Sequence, residues 1–156
     1  MKSALLIGCN YKNSEIELNG CLNDVLNIEN LLIEKFNYNK NNIKTMTDNS
    51  SYKWKPNKQN ILDNLLLLVN QINKKILNEV FICFSGHGSY IRDKNGDERD
   101  GYDECLIPLD YKNNIITDDE LNKIFSKITN TKCNIIFISD SCHSGSILDL
   151  KFKYNI

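Results

Sequence analysis

Two short stretches carry residues fit for nucleophilic chemistry. DSCHSG (Asp140–Gly145) follows the apolar run NIIFIS, and SGHG (Ser85–Gly88) follows EVFICF. A thiol with a pKa of roughly 8.5 is only a few per cent ionised at neutral pH, so it needs help to attack a carbonyl. An imidazole within reach can take its proton or stabilise the thiolate, then protonate the leaving amine. Cys142 is the candidate nucleophile and His87 the candidate base. His143 is a weaker base because it adjoins Cys142, and neighbouring side chains usually point different ways. Glycines flank both groups and would let a substrate backbone come close. The amides of Gly88 and Cys142 are candidate oxyanion donors. The competing reading is a buried cysteine and a helix-capping histidine. The pairing of both at strand ends, each beside glycine, weighs against it.

Such a site needs elements that bring distant residues to one edge. Ser3–Cys9, Ile43–Thr47, Glu79–Ser85, Cys105–Asp110 and Cys133–Ser139 read as strands. Cys21–Phe36 and Gln59–Ile76 place apolar residues at helical spacing. Thr117–Ile128 opens with Thr117 and has Glu120 three residues on, a capping-box pattern. Asp48–Lys58 and the stretch YIRDKNGDERDGYDE read as loops. Strands alternate with helices, and the central strands are apolar on both faces. The pattern predicts an α/β fold with a mainly parallel sheet and helices on both sides. In such sheets the active crevice lies at the carboxyl ends of the strands.

Composition narrows the function classes. A chain of 156 residues suits one domain. The net charge of −1 gives no electrostatic reason to expect nucleic acid or a membrane surface as partner. No apolar run approaches the roughly 20 residues of a spanning helix. Six cysteines could suggest disulfides. However, Cys9, Cys83 and Cys105 lie in or beside apolar strand-like runs, and no secretory signal is visible. Free thiols and a cytoplasmic location are therefore expected. No pair has C-x-x-C spacing, which argues against structural zinc.

SGHG, GYDE (Gly101–Glu104), DSCHSG and SILDL (Ser146–Leu150) resemble the large-subunit region of metacaspases, the caspase-like cysteine peptidases. ALLIGCNY (Ala4–Tyr11) and LNGCLND (Leu18–Asp24) do so too, and the blocks run in order along nearly the whole chain. In caspases the cysteine stands in Q-A-C-x-G, about 50 residues after its histidine. The separation here agrees, but Ser141 replaces Ala and Asp140 replaces Gln, which favours metacaspase over caspase. The resemblance implies a caspase-like three-layer sandwich and a His87–Cys142 dyad with Gly88 beside it. It implies cleavage after Arg or Lys, with Asp24 and Asp140 meeting the cationic side chain and Cys21 and Ser85 lining the same pocket. Paired carboxylates in a partly desolvated slot suit a guanidinium. The only arginines, Arg92 and Arg99, share one polar loop and do not form the arginine set with which caspases hold an acidic side chain. Asp24 alone would also fit a helix first turn, where acids are favoured.

Calcium enters by the same route. DKNGDERDGYDE (Asp93–Glu104) fails as an EF-hand because Glu98 stands where the loop needs glycine. The resemblance instead implies Ca²⁺ as an activator, held by Asp103, Asp118, Asp119 and Asp149. Asp118 and Asp119 would otherwise read as acids at a helix start.

The expected organisation is a single caspase-like domain over residues 1–156, without a prodomain or the small-subunit region that metacaspases carry. A monomer is expected, with an open sheet edge where a second copy or another chain would pair. Two functions follow: an endopeptidase, or a non-catalytic binding or decoy module, including a half-enzyme awaiting its partner. A legumain-like peptidase is disfavoured by the GYDE, TDD and LDL carboxylates. Lys151 and Lys153 are candidate self-cleavage positions.

Overall fold

The computed structural model describes residues 1–93, 101–142 and 147–148. Its elements run β1 (Lys2–Gly8), α1 (Cys21–Glu34), β2 (Ile43–Thr47), α2 (Lys58–Asn73), β3 (Glu79–Ser85), β4 (Gly88–Arg92), β5 (Tyr102–Leu106), β6 (Ile116–Thr117), α3 (Asp118–Phe125) and β7 (Asn134–Asp140). A short 3₁₀ turn at Lys40–Asn42 leads into β2. Four strands form one sheet in the order β2-β1-β3-β7, and every pairing is parallel.

Parallel neighbours need crossovers, and the helices that supply them cover both faces. Alternation along β1 sends Ala4 and Leu6 to one side, where they pack with Val25 and Leu32 of α1, Tyr38 and Cys83. Leu5 and Ile7 go to the other, against Ile61, Leu65, Val69 and Ile72 of α2 with Met46, Ile82 and Phe84. Each such buried aliphatic or aromatic side chain stabilises the fold by about 1.5–3 kcal/mol. α3 joins the α2 side through Leu121 and Ile124. The three layers agree with the expected fold class.

The helix starts follow local chemistry. The Asn57 side chain accepts from the Asn60 N–H at 2.9 Å and caps α2. The capping box predicted for α3 is present: Thr117 Oγ1 accepts from the Glu120 N–H and Glu120 accepts from the Thr117 N–H, both at 3.2 Å. The helices end earlier than periodicity suggests. Asn37 and Lys75, just past α1 and α2, adopt left-handed backbone with φ of 56° and 58°.

A second sheet, antiparallel in the order β4-β5-β6, departs from the sequence reading. The strand expected at Cys105–Asp110 lies at Tyr102–Leu106, and its partner β4 lies in the stretch read as a loop. Only one face of this hairpin is covered, so its residues do not form the continuous apolar run that marks a central strand.

Among the described residues no strand pairs with the outer edge of β7. Ile136 and Ile138 lie opposite Phe81 and Cys83, on the α1 side of the sheet, and are 38% and 43% exposed. Among those residues no helix is long and apolar enough to cross a membrane.

Candidate active site

Strand register builds the site. Gly8 pairs with Ser85, and Ser85 with Asp140, so β1, β3 and β7 end in one row. Two further backbone bonds extend the row: the Cys9 N–H donates to the Ser85 carbonyl at 2.9 Å, and the Gly86 N–H to the Asp140 carbonyl at 3.2 Å. His87 and Cys142 each stand two residues past the Ser85–Asp140 pair. Gly88 carries the closest approach. A Cβ there would run into the carbonyl oxygen of Cys142 and lie 3.1 Å from Ser141 Oγ.

Burial separates Cys142 from the other thiols. All six cysteines are free; Cys142 is exposed, Cys133 is intermediate and the other four are buried. Desolvation pushes the thiols of Cys9, Cys21, Cys83, Cys105 and Cys133 up, that of Cys83 to about 12. Those five stay protonated near neutral pH and are poor nucleophiles.

The His87 ring is fixed from one side. Its Nε2 lies 2.9 Å from the Ile16 carbonyl oxygen. A carbonyl only accepts, so Nε2 carries the proton and a neutral ring presents Nδ1 as its acceptor. That leaves one ring nitrogen able to receive a proton from a thiol.

Asp24, in the first turn of α1, receives the Ser85 hydroxyl at 2.9 Å. The start of α1 reaches the end of β1 because Gly8 lacks a side chain; a Cβ there would lie 2.6 Å from the Cys21 carbonyl oxygen. Burial raises the Cys21 thiol most, the Ser85 hydroxyl opposes this, and the charges of Asp24 and Asp140 add to it. Cys21, Asp24, Ser85 and Asp140 thus gather beside the strand ends, where a cationic side chain could be held.

On the other side of the β4–β5 hairpin, Asp103 and Asp118 are buried at 5% and 2% exposure. Asp118 accepts the Glu104 and Asp119 N–H groups, each at 2.8 Å. Burial pushes the Asp118 carboxyl up, these two amides oppose the shift, and the charges of Asp103 and Asp119 reinforce it. Among the described residues no group of three or more His, Cys, Asp or Glu converges where an ion could sit. Asp149, His143, Arg99, Lys151 and Lys153 lie outside the described residues.

A family model for the metacaspase, peptidase C14 domain matches residues 2–151. The chain belongs to the metacaspases. It is 43% identical to Metacaspase-1 of Schizosaccharomyces pombe over 157 residues, which cover 99% of this chain and 36% of that protein. It is 41% identical to Metacaspase-1 of Plasmodium falciparum over 159 residues, covering 99% of this chain and 26% of the relative. This metacaspase chain therefore spans about a third or less of the length of these relatives. A crystal structure of a Geobacter sulfurreducens protein shares the fold, with a TM-score of 0.67 at 24% identity, covering 94% of this chain and 52% of that one.

One residue of the metacaspase site was not singled out from the sequence. Tyr11 is 1% exposed and turns through left-handed backbone at φ 50°. That conformation costs a non-glycine residue on the order of 1–3 kcal/mol. It brings the phenol under His87. The hydroxyl donates to the Ile107 carbonyl at 2.6 Å and accepts the His87 backbone N–H at 2.9 Å. The two rings lie 5.0 Å apart, tilted by 37°. The available signal was a tyrosine directly after an apolar strand, since a buried phenol needs hydrogen-bond partners. Tyr11→Phe keeps the ring and breaks the bridge, leaving a buried donor and acceptor at a cost of about 1–3 kcal/mol. Steady-state kinetics should show kcat about tenfold lower with KM little changed. An unchanged kcat with a lowered melting temperature would make Tyr11 a packing residue only.

Proposed function

We propose that this chain is the catalytic region of a cysteine endopeptidase that cleaves after Arg or Lys and is activated by calcium. The observation that carries the proposal is the Ser85–Asp140 register, with Gly88 lying against Cys142 and Cys142 the exposed thiol of the six. Nδ1 of His87 takes the thiol proton, and the Cys142 thiolate attacks the carbonyl carbon to form a C–S bond. The oxyanion is received by the Gly88 and Cys142 amides. As the C–N bond breaks, His87 returns the proton to the leaving amine. A water deprotonated by His87 then attacks the acyl-enzyme, releasing the carboxylic acid and restoring the thiol.

The Asp24–Ser85 hydrogen bond and the negative charge of Asp140 support a cationic residue before the scissile bond. Asp103, Asp118, Asp119 and Asp149 would hold calcium. Carboxylate oxygens suit a hard cation, and burial together with the charges of Asp103 and Asp119 already raises the Asp118 carboxyl. The ion would neutralise that repulsion where β5 meets α3. Protons compete for Asp118, so activation should weaken as pH falls.

The test is hydrolysis of fluorogenic peptides ending in Arg, Lys or Asp, with millimolar calcium or with chelator. Cleavage after Arg and Lys that calcium stimulates is the expected result. Cleavage after Asp would overturn the specificity, and equal rates in chelator would remove calcium. Among the described residues nothing pairs with the outer edge of β7, and Ile136 and Ile138 are exposed on its face, which favours a second reading: a half-enzyme that pairs along this edge. Activity per mole that rises with protein concentration would support it.

A further inference from the structure

The β4–β5 hairpin has two faces, and their contents differ. Gly88, Tyr90 and Arg92 lie directly opposite Leu106, Glu104 and Tyr102, so these six residues share one face. Ser89 and Ile91 lie opposite Cys105 and Asp103 on the other. That second face carries the buried Asp103 and Cys105 and is the side of Asp118 and α3. The first face is the one from which a Gly88 Cβ would meet the Cys142 carbonyl. Tyr90 and Tyr102 therefore stand on the same face of the hairpin as the nucleophile.

Both side chains are about half exposed. Tyr90 is 51% exposed and Tyr102 46%, with ring centroids 5.1 Å apart and planes at 80°, an edge-to-face pair. Such a pair is held in shape before anything binds, so covering it costs little ordering. Its position follows from strand rise: at about 3.4 Å per residue, Tyr90 lies roughly 7 Å beyond Gly88. An extended peptide has the same rise. The direction follows from His87, which immediately precedes β4 and protonates the departing amine. The acidic group of Asp24, Ser85 and Asp140 lies at the strand ends, before β4 begins.

We infer that Tyr90 and Tyr102 form a subsite for an apolar or aromatic side chain at the second or third residue after the scissile bond. The inference rests on the peptidase reading given above. The ordinary alternative is that the pair only stabilises the hairpin. Such a role would lower stability on substitution but would not discriminate between substrates.

The test uses internally quenched peptides with Arg before the bond and Tyr, Leu, Ser or Gly two and three residues after it. A coumarin substrate that ends at Arg serves as reference. In the unmodified protein, kcat/KM should be about 5- to 10-fold higher for Tyr than for Gly extensions. In Tyr90→Ser and Tyr102→Ser that ratio should fall towards one, whatever happens to the absolute rate. A flat series in the unmodified protein, with the coumarin substrate cleaved, overturns the subsite and leaves the peptidase intact. Failure to cleave any substrate overturns the peptidase reading instead. In that case the same peptides are titrated against Cys142→Ala protein by fluorescence anisotropy. Tighter binding of the Tyr extensions sustains the subsite, and equal binding removes it.

Discussion

Cys142→Ala is expected to bring hydrolysis of Arg and Lys peptides down to background, a loss of at least ~10³-fold, without changing the melting temperature. The asymmetry follows from position. Cys142 is exposed beyond the end of β7, so its sulfur fills no core space. Its removal takes away the sulfur that the proposed mechanism uses to form the acyl bond, and oxyanion donors alone would retain a small residual rate. Cys83→Ala is the informative control. Cys83 packs with Ala4, Leu6 and Val25 beneath α1, so its loss should cost stability and leave the dyad in place. Steady-state assays and thermal melts of the two variants separate the roles. Full activity in Cys142→Ala would remove the nucleophile assignment, and loss of activity in both at unchanged stability would point to a different thiol.

Gly88→Ala should be nearly as damaging although it removes no functional group. The added Cβ would meet the Cys142 carbonyl oxygen, so the Cys142 loop or β4 has to move. A displacement of about 1 Å between reacting groups costs roughly 100-fold in rate. The expected result is kcat lowered by about 100-fold, with KM for small Arg substrates little altered, because Asp24 and Ser85 approach from α1 and β3. Accommodating the methyl costs about 1–3 kcal/mol of stability, visible as a modest fall in melting temperature. Near-normal kcat would mean that the two backbones separate freely and that the glycine serves some other purpose.

The parts legible in the sequence were those written in local pattern. Continuous apolar runs marked β1 and β3, because strands covered on both faces have no polar side; the same kind of run marked β7, although its Ile136 and Ile138 are 38% and 43% exposed. Helical spacing marked α1 and α2, and Thr117 with Glu120 marked the start of α3. SGHG and DSCHSG marked the candidate base and nucleophile, and their order along the chain carried the family resemblance. The hairpin of β4 and β5 was hidden for the opposite reason. Gly88–Arg92 is half exposed and polar, and its strand character comes from pairing with Tyr102–Leu106 rather than from propensity.

Sequence by itself determined the residue types: a thiol and a glycine-flanked imidazole at strand ends, acids at a helix start, and a sheet fed by crossovers. Tertiary structure decided which of them act together. Register aligned Ser85 with Asp140 and so brought His87 and Cys142 to one edge. Burial enclosed four thiols and part of a fifth and left Cys142 exposed. Tyr11, which holds the His87 backbone N–H, and the Ile16 carbonyl, which orients the imidazole, belong to a loop whose reach across the strand ends is not written in periodicity. Periodicity and capping are short-range properties of the chain. Register, burial and the choice of imidazole tautomer depend on contacts between residues far apart in sequence, and these exist only in the folded molecule.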